Sequence, residues 1–353
     1  MSFDTVGDKE NGRIISWIEE FSLAAGFETE KVTNGDDGRM ALIAHGGKPG
    51  ANGLVFMGHT DTVPAGEGWK TDPFTLTQVG KNLFGLGSAD MKGGIAAMLA
   101  VMCKTDPERL GKGLEFIFTF DEERCFGGIR EVVKRHDIAA DCIVIGEPTE
   151  MEPVVATKGT VAFKVDFTGK EAHSSSPEGG VNAIEMAMDF IASVKKFYRG
   201  LKRERSDIFA SPTATLNIAK ISGGDAINKV PSACSLGFEF RVIDNAQKEK
   251  IRKAIRAVIK ENGAKAKIEE IFSLPVTKCR KGEFVAAIEK ITGKESVGVS
   301  YATEGAFLPE GSNAVILGPG SIKVAHRADE YVSKSSLDKA VRIYGELIEK
   351  YCA

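Results

Sequence analysis

An imidazole and a carboxylate two residues apart, His59 and Asp61, stand where the apolar run 54–58 ends. Such a run reads as a buried strand. A strand that stops there lifts a metal-type ligand out at the carboxyl edge of a sheet, where open α/β sheets build their sites. On extended backbone, residues 59 and 61 face the same side. The carboxylate can then accept the second N–H of the imidazole, fix its tautomer and leave the other nitrogen for a metal. The same pair could equally do no more than cap a strand, so its meaning depends on what else reaches that edge.

Three further segment ends carry acids. Asp90 follows the turn 85–88, Glu122 and Glu123 close a strand that ends at Asp121, and Glu147 follows Val144–Gly146. Each acid alone reads as a helix N-cap or a solvated turn residue. Together they read as four consecutive strands of a parallel sheet, each ending in an acid or a histidine at one edge. Carboxylates gathered so closely repel one another unless cations hold them. The sequence places no cluster of Lys or Arg at these ends, which points to divalent metal. Of five histidines, His45 sits in the Gly-rich stretch 45–50 and reads as a surface turn residue. His136 ends a charged helix, where a cation suits the dipole. His326 lies in a loop after the strand 314–317, and His173 at a strand-to-helix junction; neither has strong meaning alone.

The elements that must position these groups follow from periodicity. A helix is expected over 11–25 with Gly26 as its stop, strands over 40–44, 53–58, 113–120 and 142–145, and helices from Ile95 to Met102 and from Ile129 to Arg135. Strands alternating with helices imply an α/β fold with a mixed, mostly parallel sheet covered by helices on both faces. Near residue 158 the texture changes. Alternating strands over 161–167 and 233–241 and amphipathic helices over 180–197 and 246–261 spell an inserted α+β domain of ferredoxin-like type. The α/β pattern returns near 275, with a helix at 282–291, the strand 314–317 and a last helix over 335–351. The expected organisation is a metal-binding catalytic domain over 1–157 and 275–353, and a lid or dimerisation domain over 158–274.

Composition excludes several classes. With 46 Lys and Arg against 49 Asp and Glu, the chain has no basic field to attract nucleic acid or an anionic membrane. Six scattered cysteines without a CxxC pair argue against a zinc ribbon or a disulfide framework and for a reducing cytoplasm. Charges run through the first twenty residues, so no signal peptide is expected. No apolar stretch approaches the roughly 20 residues that cross a bilayer.

The chain resembles the M20 family of co-catalytic zinc peptidases and amidohydrolases, and within it the deacetylase branch. The matching blocks are 58–64, Trp69 to Phe74, 85–94, 121–123, 146–149, 172–177 with 180–184, 223–231, 238–241, 302–307, and 318–322 with 325–330. They span nearly the whole chain in order. The resemblance implies that His59, Asp90 and Glu147 hold one zinc ion while Asp90, Glu123 and His326 hold the other, with Asp90 bridging. Cobalt or manganese accept similar donors. It implies Asp61 as the residue that orients His59, a cis peptide after Asp90, and Glu122 as general base. On extended backbone, Glu122 and Glu123 are expected to face opposite sides, one toward water and one toward metal. The two metals would activate one water against an amide carbonyl, and Glu122 would carry its proton to the leaving amine.

The inserted domain is implied to act as lid and homodimer surface. His173 would reach the active site of the partner subunit to stabilise an oxyanion, while Arg241 and Asn228 would hold the substrate carboxylate. Glu304 is left as a substrate contact without a defined role. The small-molecule substrate implied is an N-acyl amino acid, N2-acetyl-L-ornithine before succinyl-diaminopimelate or the substrates of a general aminoacylase, a carboxypeptidase or a C-terminal dipeptidase. A metal-binding protein without catalysis is the alternative from another class. Two departures stand out. The chain starts at a segment, Phe3–Val6, that a helix precedes in the family. Cys125 follows the Glu pair as either an inert apolar residue or an adventitious ligand.

Overall fold

The computed structural model describes every residue except 8, 36–37, 49–52, 139, 262 and 281. The chain divides into two compact units, one of residues 1–155, 278–297 and 303–353, the other of 156–277 and 298–302. In chain order the elements are α1 (Gly12–Ala24), β1 (Glu28–Thr33), β2 (Met40–Gly46), β3 (Leu54–His59), β4 (Thr77–Val79), β5 (Asn82–Phe84), α2 (Lys92–Met102), β6 (Leu114–Thr119), α3 (Gly127–Arg135), β7 (Cys142–Pro148) and β8 (Val154–Thr157). There follow β9 (Gly159–Thr168), α4 (Ala183–Leu201), β10 (Thr215–Gly223), β11 (Ala233–Val242), α5 (Asn245–Glu261) and β12 (Ala266–Leu274). The last are β13 (Thr277–Lys278), α6 (Glu283–Thr292), β14 (Val297–Val299), β15 (Ala314–Gly318), β16 (Tyr331–Ser333) and α7 (Lys334–Tyr351).

The main sheet of the first unit runs β1-β2-β6-β3-β7-β15. From β6 to β15 the pairs are parallel, whereas β1 and β2 are antiparallel additions at the edge. Every residue of β3 and β7 is buried, as central parallel strands covered on both faces must be. That is why these strands read as unbroken apolar runs. Helix α2 lies close on the sheet because it opens on glycines: a Cβ at Gly94 would stand 2.3 Å from the Gly146 carbonyl oxygen of β7. Helix α7 docks through Tyr344, fully buried and donating to the Leu317 carbonyl at 2.6 Å.

Several expectations change here. Strand β1 has no counterpart among the expected strands; its sequence, Glu28–Thr33, is mostly exposed and polar, as an edge strand allows. His45 lies within β2, half-buried, and not in a turn; Pro49 and Gly50 of that stretch lie outside the described residues. Asp90 does not end a strand of the parallel sheet. The chain leaves β5, which belongs to a separate three-stranded sheet with β4 and β16, and passes through turns over 85–91 into α2. The helix therefore begins three residues earlier than its apolar pattern indicates.

The second unit carries the order strand, helix, strand, strand, helix, strand, from β9 to β12, in an antiparallel sheet β10-β11-β9-β12. Its core joins Phe163, Val165 and Phe167 of β9 to Phe238 and Phe240 of β11 and to Phe190 and Val194 of α4. The alternation along β9 and β11 is that of a sheet with one face packed by helices. Asn182 caps α4, its side-chain oxygen accepting the N–H groups of Ile184 and Glu185 at 2.9 and 3.2 Å.

Candidate metal centre

Three neighbouring parallel strands, β6, β3 and β7, end at one edge of the first unit. His59 is the last residue of β3 and is fully buried. Its Nε2 lies 3.3 Å from Asp90 Oδ1 and 3.6 Å from Glu147 Oε1. The other oxygen of Asp90 lies 3.3 Å from His326 Nε2, which is 2.8 Å from Glu123 Oε1. Asp90 thus stands between two imidazoles and gives each a different oxygen. Ligand atoms of His59, Asp90 and Glu123 all fall within 4.8 Å of one another, as do those of His59, Glu122 and Glu147. Glu122 therefore lies among the other acids, not apart from them.

A second layer holds these groups. His59 Nδ1 meets the main-chain carbonyl of Asp61 at 3.1 Å and the Asp61 carboxylate at 3.4 Å, so the imidazole is fixed more by backbone than by side chain. The Asp61 carboxylate instead accepts the main-chain N–H groups of Glu122 and Glu123, both at 3.2 Å. Those two residues sit in a turn, not on extended backbone. The turn opens on Asp121, whose φ of 63° is left-handed and whose carboxylate accepts from Arg39 at 2.8 Å and from the Cys125 thiol at 2.7 Å. Burial and that acceptor raise the Cys125 pKa, which keeps the thiol protonated. The Asp90–Met91 peptide is cis.

Glu330, which has no role in the sequence reading, anchors the Asp90 turn. It is 1% exposed and accepts the N–H groups of Gly87, Ala89 and Asp90 at 3.0, 2.8 and 2.9 Å. A lone acid before a short strand leaves no periodic signal. Lys92, 7% exposed, likewise has no role in the sequence reading; it is a single buried lysine and not a cluster of cations at these ends.

The electrostatics are those of acids forced together. Burial, and then the charge of Asp90, push Glu147 well above the usual carboxylate range. Burial does the same to Glu122. Burial disfavours the ionised form of Asp90, yet hydrogen bonds with His326 and His59 outweigh it and hold that pKa low. Hydrogen bonds with Asp90 and Glu123 push His326 up to about 10. Glu304 is fully buried, and burial pushes it up to about 7. Two imidazoles and three carboxylates sharing protons in this way form a donor set that suits a pair of divalent cations.

His173, Asn228 and Arg241 belong to the second unit. His173 Nδ1 accepts the N–H of Ser175 at 3.2 Å, which leaves Nε2 as the donor. Its neighbour Ser174 donates its main-chain N–H to the Asn228 carbonyl at 3.1 Å, so His173 and Asn228 lie on adjoining segments. Arg241, half-buried on β11, approaches Glu239 at 3.4 Å.

Residues 55–350 match the model of peptidase family M20/M25/M40. An acetylornithine deacetylase of Pasteurella multocida is 34% identical over 360 residues, covering 99% of this chain and 94% of that protein. Among solved structures, a tripeptidase from Staphylococcus aureus aligns with a TM-score of 0.80 at 22% identity, over 99% of this chain and 95% of its own. A dinuclear metal-binding M20 peptidase from Bacillus subtilis aligns at 0.71 and 16% identity, over 98% and 93%.

Proposed function

The chain belongs to peptidase family M20/M25/M40 and is a hydrolase of amide bonds, and we propose that its substrate is N2-acetyl-L-ornithine, cleaved to acetate and L-ornithine in arginine biosynthesis. The position of Asp90 between His59 and His326 carries the hydrolase reading. The near full-length similarity to a deacetylase of that substrate supports the choice of acyl group and amino acid.

His59, Asp90 and Glu147 would hold one divalent ion, and Asp90, Glu123 and His326 the other. Zinc suits imidazole and carboxylate donors, with cobalt and manganese as alternatives. Such a pair, when bound, polarises an amide carbonyl and acidifies a water. The remaining work falls to side chains. Glu122 takes the proton of the attacking water and returns it to the departing amine. Asp61 holds Glu122 and Glu123 in register through their N–H groups. The partner subunit's His173 would offer its Nε2–H to the developing oxyanion, and Arg241 and Asn228 would serve as substrate-side contacts, Arg241 for a carboxylate.

We further propose a cytoplasmic homodimer built on the second unit. Its outer strand β10 is largely exposed, and Met188, Ile221 and Ile227 present apolar side chains to solvent. No helix among the described residues is long and apolar enough to cross a membrane.

The test is kcat/KM across N2-acetyl-L-ornithine, N-succinyl-diaminopimelate, N-acetyl-methionine and C-terminal dipeptides. A preference for the first of at least tenfold supports the assignment. A preference for any other transfers it to that substrate.

A further inference from the structure

Lys92 follows Asp90, a proposed metal ligand, by two residues, yet its side chain is 7% exposed. Lysine is almost never buried without a partner, because removing an ammonium from water is costly. The side-chain stem packs at Gly87, where an added Cβ would lie 3.4 Å from Lys92 Cδ and 2.6 Å from Thr62 Cγ2. The N–H of Gly87 donates to Glu330. The hydrogen bond made by Nζ goes to the Phe3 carbonyl at 2.9 Å.

That carbonyl begins a short strap. Thr5 Oγ1 donates to the Thr60 carbonyl at 2.6 Å, the Thr62 N–H donates to the Thr5 carbonyl at 3.2 Å, and the Gly7 N–H to the Thr62 carbonyl at 3.1 Å. Residues 3–7 therefore grip the backbone on both sides of Asp61, and Lys92 grips residue 3. The turn that carries Asp90 and the loop that follows His59 are joined by one lysine and one strap. Asp61 accepts the main-chain N–H groups of Glu122 and Glu123, and Glu330 that of Asp90.

We infer that Lys92 is a positioning residue: its buried side chain, hydrogen-bonded to the Phe3 carbonyl, ties the Asp90 turn to the Phe3–Gly7 strap and so holds the His59 and Asp90 loops at the spacing the metal pair requires. The inference rests on the metal-centre reading above. Partners behind metal ligands typically change affinity by about 10–100-fold.

The experiment strips the full-length chain with a chelator and titrates Co2+, reading the visible d–d band and competition with a chromogenic chelator, beside melting of the metal-free protein. Wild type is run with Lys92→Met, Lys92→Gln and Lys92→Arg. Lys92→Met and Lys92→Gln are expected to bind Co2+ at least tenfold more weakly with an altered band, and Lys92→Arg to recover most of the affinity. Should Lys92→Met not fold, Lys92→Gln decides. Wild-type affinity and spectrum in the uncharged variants would overturn the inference, as would Lys92→Arg binding no better than Lys92→Gln. Failure of wild type itself to bind Co2+ would instead remove the metal-centre reading.

Discussion

Asp61 gives one carboxylate oxygen to the N–H of Glu122 and the other to the N–H of Glu123, each at 3.2 Å. One side chain thereby fixes the main chain of the proposed base and that of a proposed ligand, while its own carbonyl meets His59. Asp61→Asn keeps the size but turns an NH2 donor toward one of those N–H groups. Metal affinity is expected to fall about 10–100-fold, with kcat falling also. Chelator competition and steady-state rates check this; unchanged values would make Asp61 a bystander.

Glu330 satisfies three buried N–H groups in the turn that carries Asp90. Each orphaned donor costs about 1–3 kcal/mol. Glu330→Ala should therefore lower unfolding stability by roughly 3 kcal/mol or more and loosen metal as well. Denaturant unfolding of the metal-free chain measures the first effect. A loss under about 0.5 kcal/mol, the range of an ordinary surface substitution, would contradict it.

Metal binding should weaken in acid. Hydrogen bonds with Asp90 and Glu123 raise the His326 pKa to about 10, and burial raises Glu147, so a metal must displace protons from both. Affinity is then expected to rise from pH 6 to pH 8, with proton release on loading. Calorimetry in buffers of different ionisation enthalpy reads the released protons; a pH-independent affinity without release would contradict the donor assignment.

Away from the centre, His136 Nε2 meets Glu115 Oε2 at 3.0 Å, and that hydrogen bond raises the His136 pKa. A raised folded-state pKa adds stability that is fully present below the unfolded value near 6.5 and is lost as pH rises through the folded one. Glu115→Gln should thus destabilise the chain more at pH 6 than at pH 9. Melting temperatures at both values test this, and an equal loss at each would dismiss the pair as a source of pH dependence.

What the sequence reveals and what it hides divide along physical lines. Strands β3 and β7, buried on both faces, announce themselves as apolar runs, and His59 and Glu147 stand out because they interrupt those runs. Edge strands do not announce themselves. Half-exposed β1 has a polar sequence, and β4 and β5, three residues each, are shorter than any periodicity. Asp90 is visible as an acid, but its place in a turn between a small sheet and α2 depends on where β5 pairs. Glu330 and Lys92 are not visible as partners, since their meaning arises from contacts about 240 positions away, with the Gly87–Asp90 turn for the first, and from an N-terminal strap for the second. Glu122 and Glu123 sit in a turn that opens on the left-handed Asp121, which no pattern of side-chain polarity encodes.

The most direct test of a two-metal hydrolase titrates Zn2+ into the chelator-stripped chain and follows hydrolysis of N2-acetyl-L-ornithine, with Glu122→Gln alongside. Activity is predicted to appear with metal and to saturate near two ions per chain, while Glu122→Gln binds the same two ions and loses about 10²–10⁴ in kcat. Full activity in the stripped chain, or in loaded Glu122→Gln, would contradict that prediction.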